Sequence, residues 1–359
     1  MAAMSSRSPR HLHKGRGATL SPPSRYAAWA GAEIDDGWDN LEQPLEAPPT
    51  TLAVDASRRV ITYNDSPDVG FDRSINPYRG CEHGCVYCFA RPTHAWLGLS
   101  PGLDFETRIF HKPDAPEQLR RELAARSYHC APLALGINTD AYQPSERKLG
   151  LTREIVSLLV ETRHPFSVVT KSALIERDID LLAPAAARRQ FEAAVSITTL
   201  DAGLARRMEP CAASPARRLQ TIRALSAAGI PVTALVAPLI PVLTDSELET
   251  ILEEVRAAGA HDAGYVLLRL PHELKDMFRD WLARHAPLKA AHVMNRLRDC
   301  RGGQDYNARF GERMRGIGVF AELIRKRFKL AYGRLGFEPT PDLDCDSFTP
   351  PEDRQLRLF

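Results

Sequence analysis

From about residue 130 the apolar residues gather into short runs: Leu133–Ile137, Phe166–Val169, Ala193–Ile197, Val232–Val236 and Tyr265–Leu268. The runs lack strict alternation with polar residues, as expected of strands buried on both faces of a parallel sheet. Between them apolar positions recur at helical spacing. Ile155, Leu158 and Leu159 mark a helix over Thr152–Arg163. A second helix is predicted from Ser214, an N-cap, to Gly229, a stop, and a third from near Thr244 to near Gly259. Strand starts recur at the spacing of a βαβ unit. A short strand near Ser74–Tyr78 would bring the number to six. Six such units predict an α/β fold, a partial (β/α)6 TIM-like barrel. A doubly wound sheet is the alternative, because periodicity does not report closure.

Beyond Leu270 the pattern is helical, with Pro271–His285, Leu288–Cys300 and Gly316–Leu335 as candidates and Arg301-Gly302-Gly303 as an interruption. Val60–Tyr63 reads as the apolar piece of a hairpin. Residues 1–50 carry Pro22-Pro23 and a proline cluster from Pro44 to Pro49, and they read as a flexible arm. The expected organisation is a basic N-terminal arm (1–50), a core (51–270) and a helical C-terminal extension and tail (271–359).

With 44% hydrophobic residues in 359, a sizeable core is expected. The net charge of +2 gives no bulk argument for nucleic acid or membrane. Its distribution is uneven: no acidic residue precedes Glu33, whereas Arg7, Arg10, Lys14, Arg16 and Arg25 are basic. Such an arm keeps nucleic acid open as a partner through salt-dependent contacts. A solvated tail is the plainer reading, and organelle transit peptides share the composition. No run of eighteen apolar residues occurs, so no membrane span is expected, and the chain reads as cytoplasmic. In the segment from Arg296 to Arg315, Tyr306 and Phe310 could stack on bases or pack on the barrel; packing is the expectation.

Three of the seven cysteines crowd into Gly80-Cys81-Glu-His-Gly-Cys85-Val-Tyr-Cys88. A disulfide scaffold would be denser and the chain shorter. Thiolates spaced C-x3-C-x2-C suit an iron–sulfur cluster or zinc. A cubane held by three thiolates leaves one iron open to a chelating ligand. Gly80 and Gly84 would let the loop wrap closely. The alternative is a zinc-stabilised nucleic-acid-binding module without catalysis, with His83, His94 or His111 as fourth ligand. Structural zinc sites, however, usually pair two C-x2-C knuckles, and no second pair follows. A plain iron–sulfur electron carrier would need neither a large barrel nor an open iron.

The cysteine motif, with an aromatic before its third cysteine, resembles the radical S-adenosylmethionine (SAM) superfamily. The wider chain is similar to the spore photoproduct lyase-related group, nearest an uncharacterised bacterial subgroup. The pieces that carry this are Ser74-Ile-Asn-Pro-Tyr-Arg-Gly-Cys-Glu-His-Gly-Cys, Asn138-Thr-Asp-Ala-Tyr-Gln-Pro, Val169-Thr-Lys-Ser, Ser196-Ile-Thr-Thr-Leu-Asp, Met208-Glu-Pro and Ala237-Pro-Leu-Ile-Pro. The resemblance implies a [4Fe–4S] cluster on Cys81, Cys85 and Cys88 whose open iron binds SAM. One electron then cleaves SAM to methionine and a 5′-deoxyadenosyl radical, which takes hydrogen from a substrate to be sought among nucleotides or nucleic acids. A reductant such as flavodoxin or ferredoxin is implied as partner.

By the same resemblance, Thr139, with Asp140 beside it, lies by the amino-acid end of SAM. Lys171 meets the carboxylate, as a compact cation suits. Ser196 bonds the carboxylate or ribose, the Tyr87 backbone meets the adenine, and Glu209 lies near the cofactor. Each has a plainer role open to it. Lys171 could end a strand in solvent, Thr139-Asp140 could cap a turn, Ser196 could fill the barrel, Tyr87 could only pack, and Glu209 could be salt-bridged. Cys211 departs from the subgroup, which carries arginine there. The lyase's hydrogen-donating cysteine aligns with Ile137-Asn138, and the tyrosine after its third cysteine with Phe89. Cys130 precedes the predicted strand and reads as a buried structural thiol. Repair of spore photoproduct is therefore not expected of this chain.

Overall fold

A computed structural model of the chain describes residues 15–27 and 48–351. Ten strands form two sheets: β1 (Thr51–Val54), β2 (Ile61–Tyr63), β3 (Arg73–Ile75), β4 (Tyr78–Arg79), β5 (Arg108–His111), β6 (Leu133–Leu135), β7 (Phe166–Thr170), β8 (Phe191–Ser196), β9 (Val232–Leu239) and β10 (Asp262–Leu267). The main sheet runs β10-β9-β8-β7-β6-β3-β2, parallel throughout except for the β2–β3 hairpin. A doubly wound sheet reverses its strand order at a switch point. Here the six parallel strands β3, β6, β7, β8, β9 and β10 follow one another in a single direction, the order of a barrel wall. The fold is a partial TIM-like barrel with a helical extension.

The predicted strands all form, within a few residues. Their apolar runs are buried because helices cover the outer face. Leu151–Glu161 follows β6, Ile179–Ala187 follows β7, Pro215–Ala227 follows β8 and Leu248–Ala257 follows β9. The Pro215–Ala227 helix starts where the sequence indicated: the Ser214 hydroxyl accepts the Arg217 N–H, and Gly229 takes φ +76° beyond its end. The core lies between this helical layer and the strands. At its centre the Phe166 and Phe191 rings of adjacent strands stand 4.8 Å apart.

Two features lie outside the predicted pattern. A small sheet, β1-β5-β4, flanks the barrel beside the cysteine loop. A second apolar cluster joins that loop to the helical extension: Val86 and Tyr87 pack with Met208, Leu274, Phe278, Trp281 and Leu297. The Trp281 indole donates to the Arg207 carbonyl (3.1 Å). The helices Leu274–His285 and Pro287–Asp299 thus form the underside of the site rather than an appendage.

The expected arm over residues 1–50 needs correction where it is described. Residues 1–14 and 28–47, including Arg7, Arg10 and Lys14, lie outside the described residues. Residues 15–25 are packed: Ala18 and Leu20 are buried against Met277, and Arg25 pairs with Glu273 (2.8 Å). The cause is a buried carboxylate, Glu106, which recruits their backbone N–H groups. Cys130 is half-buried rather than buried, close to Cys345. Phe310 does not pack on the barrel; it is 53% exposed, with the Arg313 guanidinium 4.5 Å from its ring centre. Among the described residues no helix is long and apolar enough to cross a membrane.

The lower pole carries a buried titrating group. His164 Nδ1 faces the Pro165 carbonyl (2.9 Å), which can only accept. Nε2 therefore accepts from the Tyr128 hydroxyl (2.6 Å), and the ring is neutral. Phe348 packs on both rings. Burial, with Arg73 nearby, pushes the His164 pKa down to about 4 from 6.5. The unfolded chain then binds a proton that the fold refuses, so His164's contribution is intact above pH 6.5 and is lost as pH falls toward 4. A loss of about 3 kcal/mol across that window is expected from this group. Urea unfolding of the native chain and His164→Phe between pH 7 and 4 should show a visibly flatter profile for the variant.

Candidate active site

The C-terminal ends of the parallel strands surround a cavity of about 320 Å³. Cys81, Cys85 and Cys88 line one side of it, and Asp140, Lys171, Ser196, Pro238 and Arg269 follow from successive strand ends. The remaining wall is mainly apolar, from Val69, Phe71, Ile137, Val169, Leu235, Val266 and Met314.

The cysteine loop has little regular structure, so its polar backbone must be met by other groups. Cys81 N–H donates to the Phe105 carbonyl (2.9 Å) and Val86 N–H to Met208 (2.9 Å). Gln143 receives the Glu82 N–H (3.0 Å) and donates to the Gly80 carbonyl (3.2 Å). Arg91, fully buried, donates to the carbonyls of Cys85 (2.8 Å) and Gly84 (3.0 Å). Gly80, at φ +81°, is required: a Cβ there would come within 2.9 Å of the Phe105 carbonyl oxygen.

All three thiols are free. Burial pushes each one's pKa up, and for Cys81 the neighbouring Asp140, Cys85 and Cys88 add to it. Binding of iron at these sulfurs would displace protons. Among the described residues no three His, Cys, Asp or Glu side chains gather closely enough to share one metal ion. Zinc would hold its thiolates about 2.3 Å from a single centre. A cubane takes its three thiolates at three separate irons, and sulfurs arrayed along one wall beside open space fit that group. The histidines considered as fourth ligands are also engaged: His94 with the Arg108 carbonyl (3.0 Å) and His111 with that of Ala53 (2.9 Å). His83 Nδ1 stands 3.3 Å from Asp140, in ion-pair range but without an aligned hydrogen bond.

The other sequence candidates divide into two groups. Asp140, Lys171, Ser196 and Tyr87 reach the cavity wall. Asp140 accepts from Thr170 Oγ1 (2.8 Å) and the Lys171 N–H (2.8 Å). Burial pushes its pKa up, but His83 and these donors outweigh that and hold it below the usual carboxylate range. The carboxylate is committed to holding the ends of β6 and β7 together. Burial pushes the Lys171 pKa down, against the attraction of Cys85. Its ammonium lies 5.8 Å from the Tyr87 ring centre.

Thr139 and Glu209 do not line the cavity. The Thr139 hydroxyl donates to the Tyr78 carbonyl (2.7 Å), tying β4 to the loop after β6. Glu209 is buried and accepts from Thr198 (2.8 Å), from the Tyr87 hydroxyl and from Arg218. Both residues make internal hydrogen bonds that tie scaffold groups together. Tyr87 likewise spends its hydroxyl on Glu209 and Thr198, leaving its ring toward the cavity. Cys211 lies outside the cavity and donates to the Gly15 carbonyl (3.1 Å).

Sequence reasoning missed Arg91, Glu106, Gln143 and Arg218, which support the loop and its neighbours, and it considered His83 only as a metal ligand. Arg91 stands three residues after the third cysteine and could have been suspected there. Glu106 and Arg218 carry no signal in the sequence, since only the fold brings them to the loop.

A sequence profile described as the Radical SAM superfamily matches residues 75–255, half of the chain. An uncharacterised protein of Mycobacterium tuberculosis, and one of Mycobacterium bovis, are each 40% identical over 219 residues. The match spans 60% of this chain and 64% of each relative. An uncharacterised protein of Methanocaldococcus jannaschii is 28% identical over 173 residues, 48% of this chain and 62% of that one. Among solved structures, a spore photoproduct lyase variant matches with TM-score 0.57 at 16% identity, covering 80% of both chains. The lyase complexed with dinucleoside spore photoproduct matches with TM-score 0.57 at 15% identity, covering 82% of this chain and 86% of that one. At these identities the likeness is one of fold.

The division between cavity-facing and internal residues makes an energetic prediction. Arg218→Met leaves Glu209 charged, buried and unpaired, and should cost about 3–5 kcal/mol. Lys171→Met at the cavity wall should stay within about 1 kcal/mol of the native chain. Urea unfolding with no metal or SAM added compares the two.

Proposed function

The chain belongs to the radical SAM superfamily, and from this we propose that Cys81, Cys85 and Cys88 hold a [4Fe–4S] cluster that cleaves SAM reductively to start radical chemistry on a nucleotide or nucleic-acid substrate. One observation carries the reading: three free thiols share the wall of a single cavity at the strand ends, with a half-buried cation, Lys171, beside them. Bound there, cluster and SAM supply a one-electron cleavage of the sulfonium C–S bond and a carbon radical that takes hydrogen from substrate.

The chain's own residues bind and shield. Lys171 is assigned to the SAM carboxylate; its ammonium has a strong incentive to meet an anion, because burial disfavours its charge. Ser196 offers a hydroxyl at the end of β8, and the Tyr87 ring a face beneath the adenosine. Asp140 keeps the Lys171 backbone in place. The apolar wall excludes water, which lengthens the life of a reactive radical. The substrate assignment draws on the lyase of like fold, which binds a dinucleoside, and on the guanidinium–aromatic pairs Arg269–Phe89 and Arg313–Phe310.

A reductant such as flavodoxin or ferredoxin is assigned to the far side of the loop. His83 lines both the cavity and an outer polar cleft of about 460 Å³ whose walls carry Arg147, Arg177 and Arg217. An acidic protein fits such a cleft.

Anaerobic treatment with ferrous salt and sulfide should give a brown chain with about four irons and four sulfides, which turns SAM into 5′-deoxyadenosine once reduced. Cys85→Ser should abolish the iron signal, and a colourless chain with tightly bound zinc would refute the proposal. Lys171→Ala should raise the KM for SAM by about tenfold, the loss of one charge-assisted contact. Ile137 and Asn138, which the resemblance aligns with the lyase's hydrogen-donating cysteine, line the cavity wall. Spore photoproduct should therefore not be converted to two thymidines, as chromatography of the digest would show.

A further inference from the structure

Glu106 is fully buried, yet it lies outside the cavity and binds nothing in it. It pairs with Arg91, which is also fully buried and which holds the Gly84 and Cys85 carbonyls from behind. The other arms of Arg91 reach the carbonyls of Pro101 (3.1 Å) and Gly102 (3.0 Å). Two guanidinium–carboxylate partners this deep are stable only when their remaining hydrogen-bonding positions are met. For Glu106 they are met by residues far off in sequence: Gly17 N–H donates to Oε2 (2.9 Å) and Ala18 N–H to Oε1 (2.8 Å).

The contact is made at atomic closeness. A Cβ on Gly17 would fall 1.7 Å from the Gly84 carbonyl oxygen and 2.9 Å from its carbon. Only glycine lets the segment lie flat on the cysteine loop. On one side, Gly15 receives the Cys211 thiol, and Arg16 donates to the carbonyls of Glu106 (3.1 Å) and Pro48 (2.9 Å). On the other, the Ser24 hydroxyl donates to the Ala95 carbonyl (2.8 Å), and Arg25 pairs with Glu273 at the start of the helical extension. The segment crosses the outer face of the loop and is fastened at both ends.

We propose that residues 15–25 are a positioning strap of the cofactor site, which closes the outer face of the cysteine loop through Glu106 and keeps solvent and oxidants from its sulfurs. The role as a shield for an iron–sulfur centre rests on the function proposed above; the shielding of the thiols does not. Glu106 acts through Arg91 and the loop carbonyls and touches no reacting atom.

Gly17→Ala tests the strap without altering Arg91, Glu106 or any cysteine. In the metal-free chain, iodoacetamide labelling of Cys81, Cys85 and Cys88 should quicken by about tenfold, as expected when a protecting segment opens locally. Labelling of Cys300, buried at a distance, should not change. Trypsin should cut after Arg16 in the variant well before it does so in the native chain. In the loaded protein, transfer of iron to a chelator should accelerate by a similar factor. The double variant Ser24→Ala, Arg25→Met releases the far end alone and should move labelling the same way to a smaller extent. Native-rate labelling in both variants overturns the proposal, as does a rise that includes Cys300, which reports general loosening. A native chain that takes up no iron would instead sink the cluster assignment, with the labelling comparison still deciding the strap.

Discussion

Everything in this site depends on one constraint: a buried loop without regular secondary structure must have its carbonyls and N–H groups satisfied by something other than a ladder. The cysteine loop meets it with side chains. Arg91 serves the carbonyls of residues 84 and 85, and Gln143 serves positions 80 and 82. Each helper then needs its own support. Arg91 requires a counter-charge, which is Glu106; Glu106 requires two more donors, which the segment at residues 17 and 18 supplies. The chain of requirements runs outward from the sulfurs to a segment that precedes the barrel by some fifty residues in sequence. The order of the site is therefore inherited from contacts that touch no cofactor.

The same logic separates the carboxylates around the cavity. Glu209 is neutralised by Arg218 and bonded by Tyr87 and Thr198, so most of its acceptor capacity is used within the scaffold. Asp140 is likewise spent on Thr170, Lys171 N–H and His83. Lys171 differs: its half-buried ammonium lies over an aromatic ring and near the thiols, in a place where a charge needs a partner. Position at a strand end admits a residue to the rim; the hydrogen bonds already made decide whether it is available for chemistry.

This explains what the sequence disclosed and what it withheld. Strands β6 to β10 were legible because burial on both faces removes polar residues from a continuous run, and Ser214 and Gly229 were legible because caps act locally. The cysteine spacing was legible because its ligand set is contiguous. The β1-β5-β4 sheet was not, since its strands are short, with β1 exposed along its whole length, and so lack an apolar signature. The arm at residues 15–25 looked like a solvated tail because its attachment depends on glycine backbone and on Glu106, neither of which patterns with hydrophobicity. Thr139 and Glu209 were placed by analogy of position, and the internal hydrogen bonds that each makes form only at the tertiary level, where no local pattern announces them.

An open wall of six parallel strands poses a last problem, because β10 and the β2–β3 hairpin form opposite edges of one sheet and do not pair. A gap at that point would flood the cavity. The loop after the Pro287–Asp299 helix spans it without adding a strand. Buried Arg301 gathers the carbonyls of Leu267, Leu268, Glu312 and Arg313, which fixes the loop to the end of β10. Arg313 then reaches Asp68 and Ser66 in the loop between β2 and β3, and Gly311 N–H donates to the same Asp68 (2.6 Å). Met314, on this bridge, faces the cavity beside Arg269. Among the described residues, the two edges are thus joined by side-chain charge and hydrogen bonds rather than by a β ladder, and the Arg313–Asp68 pair at the join is itself largely shielded from solvent.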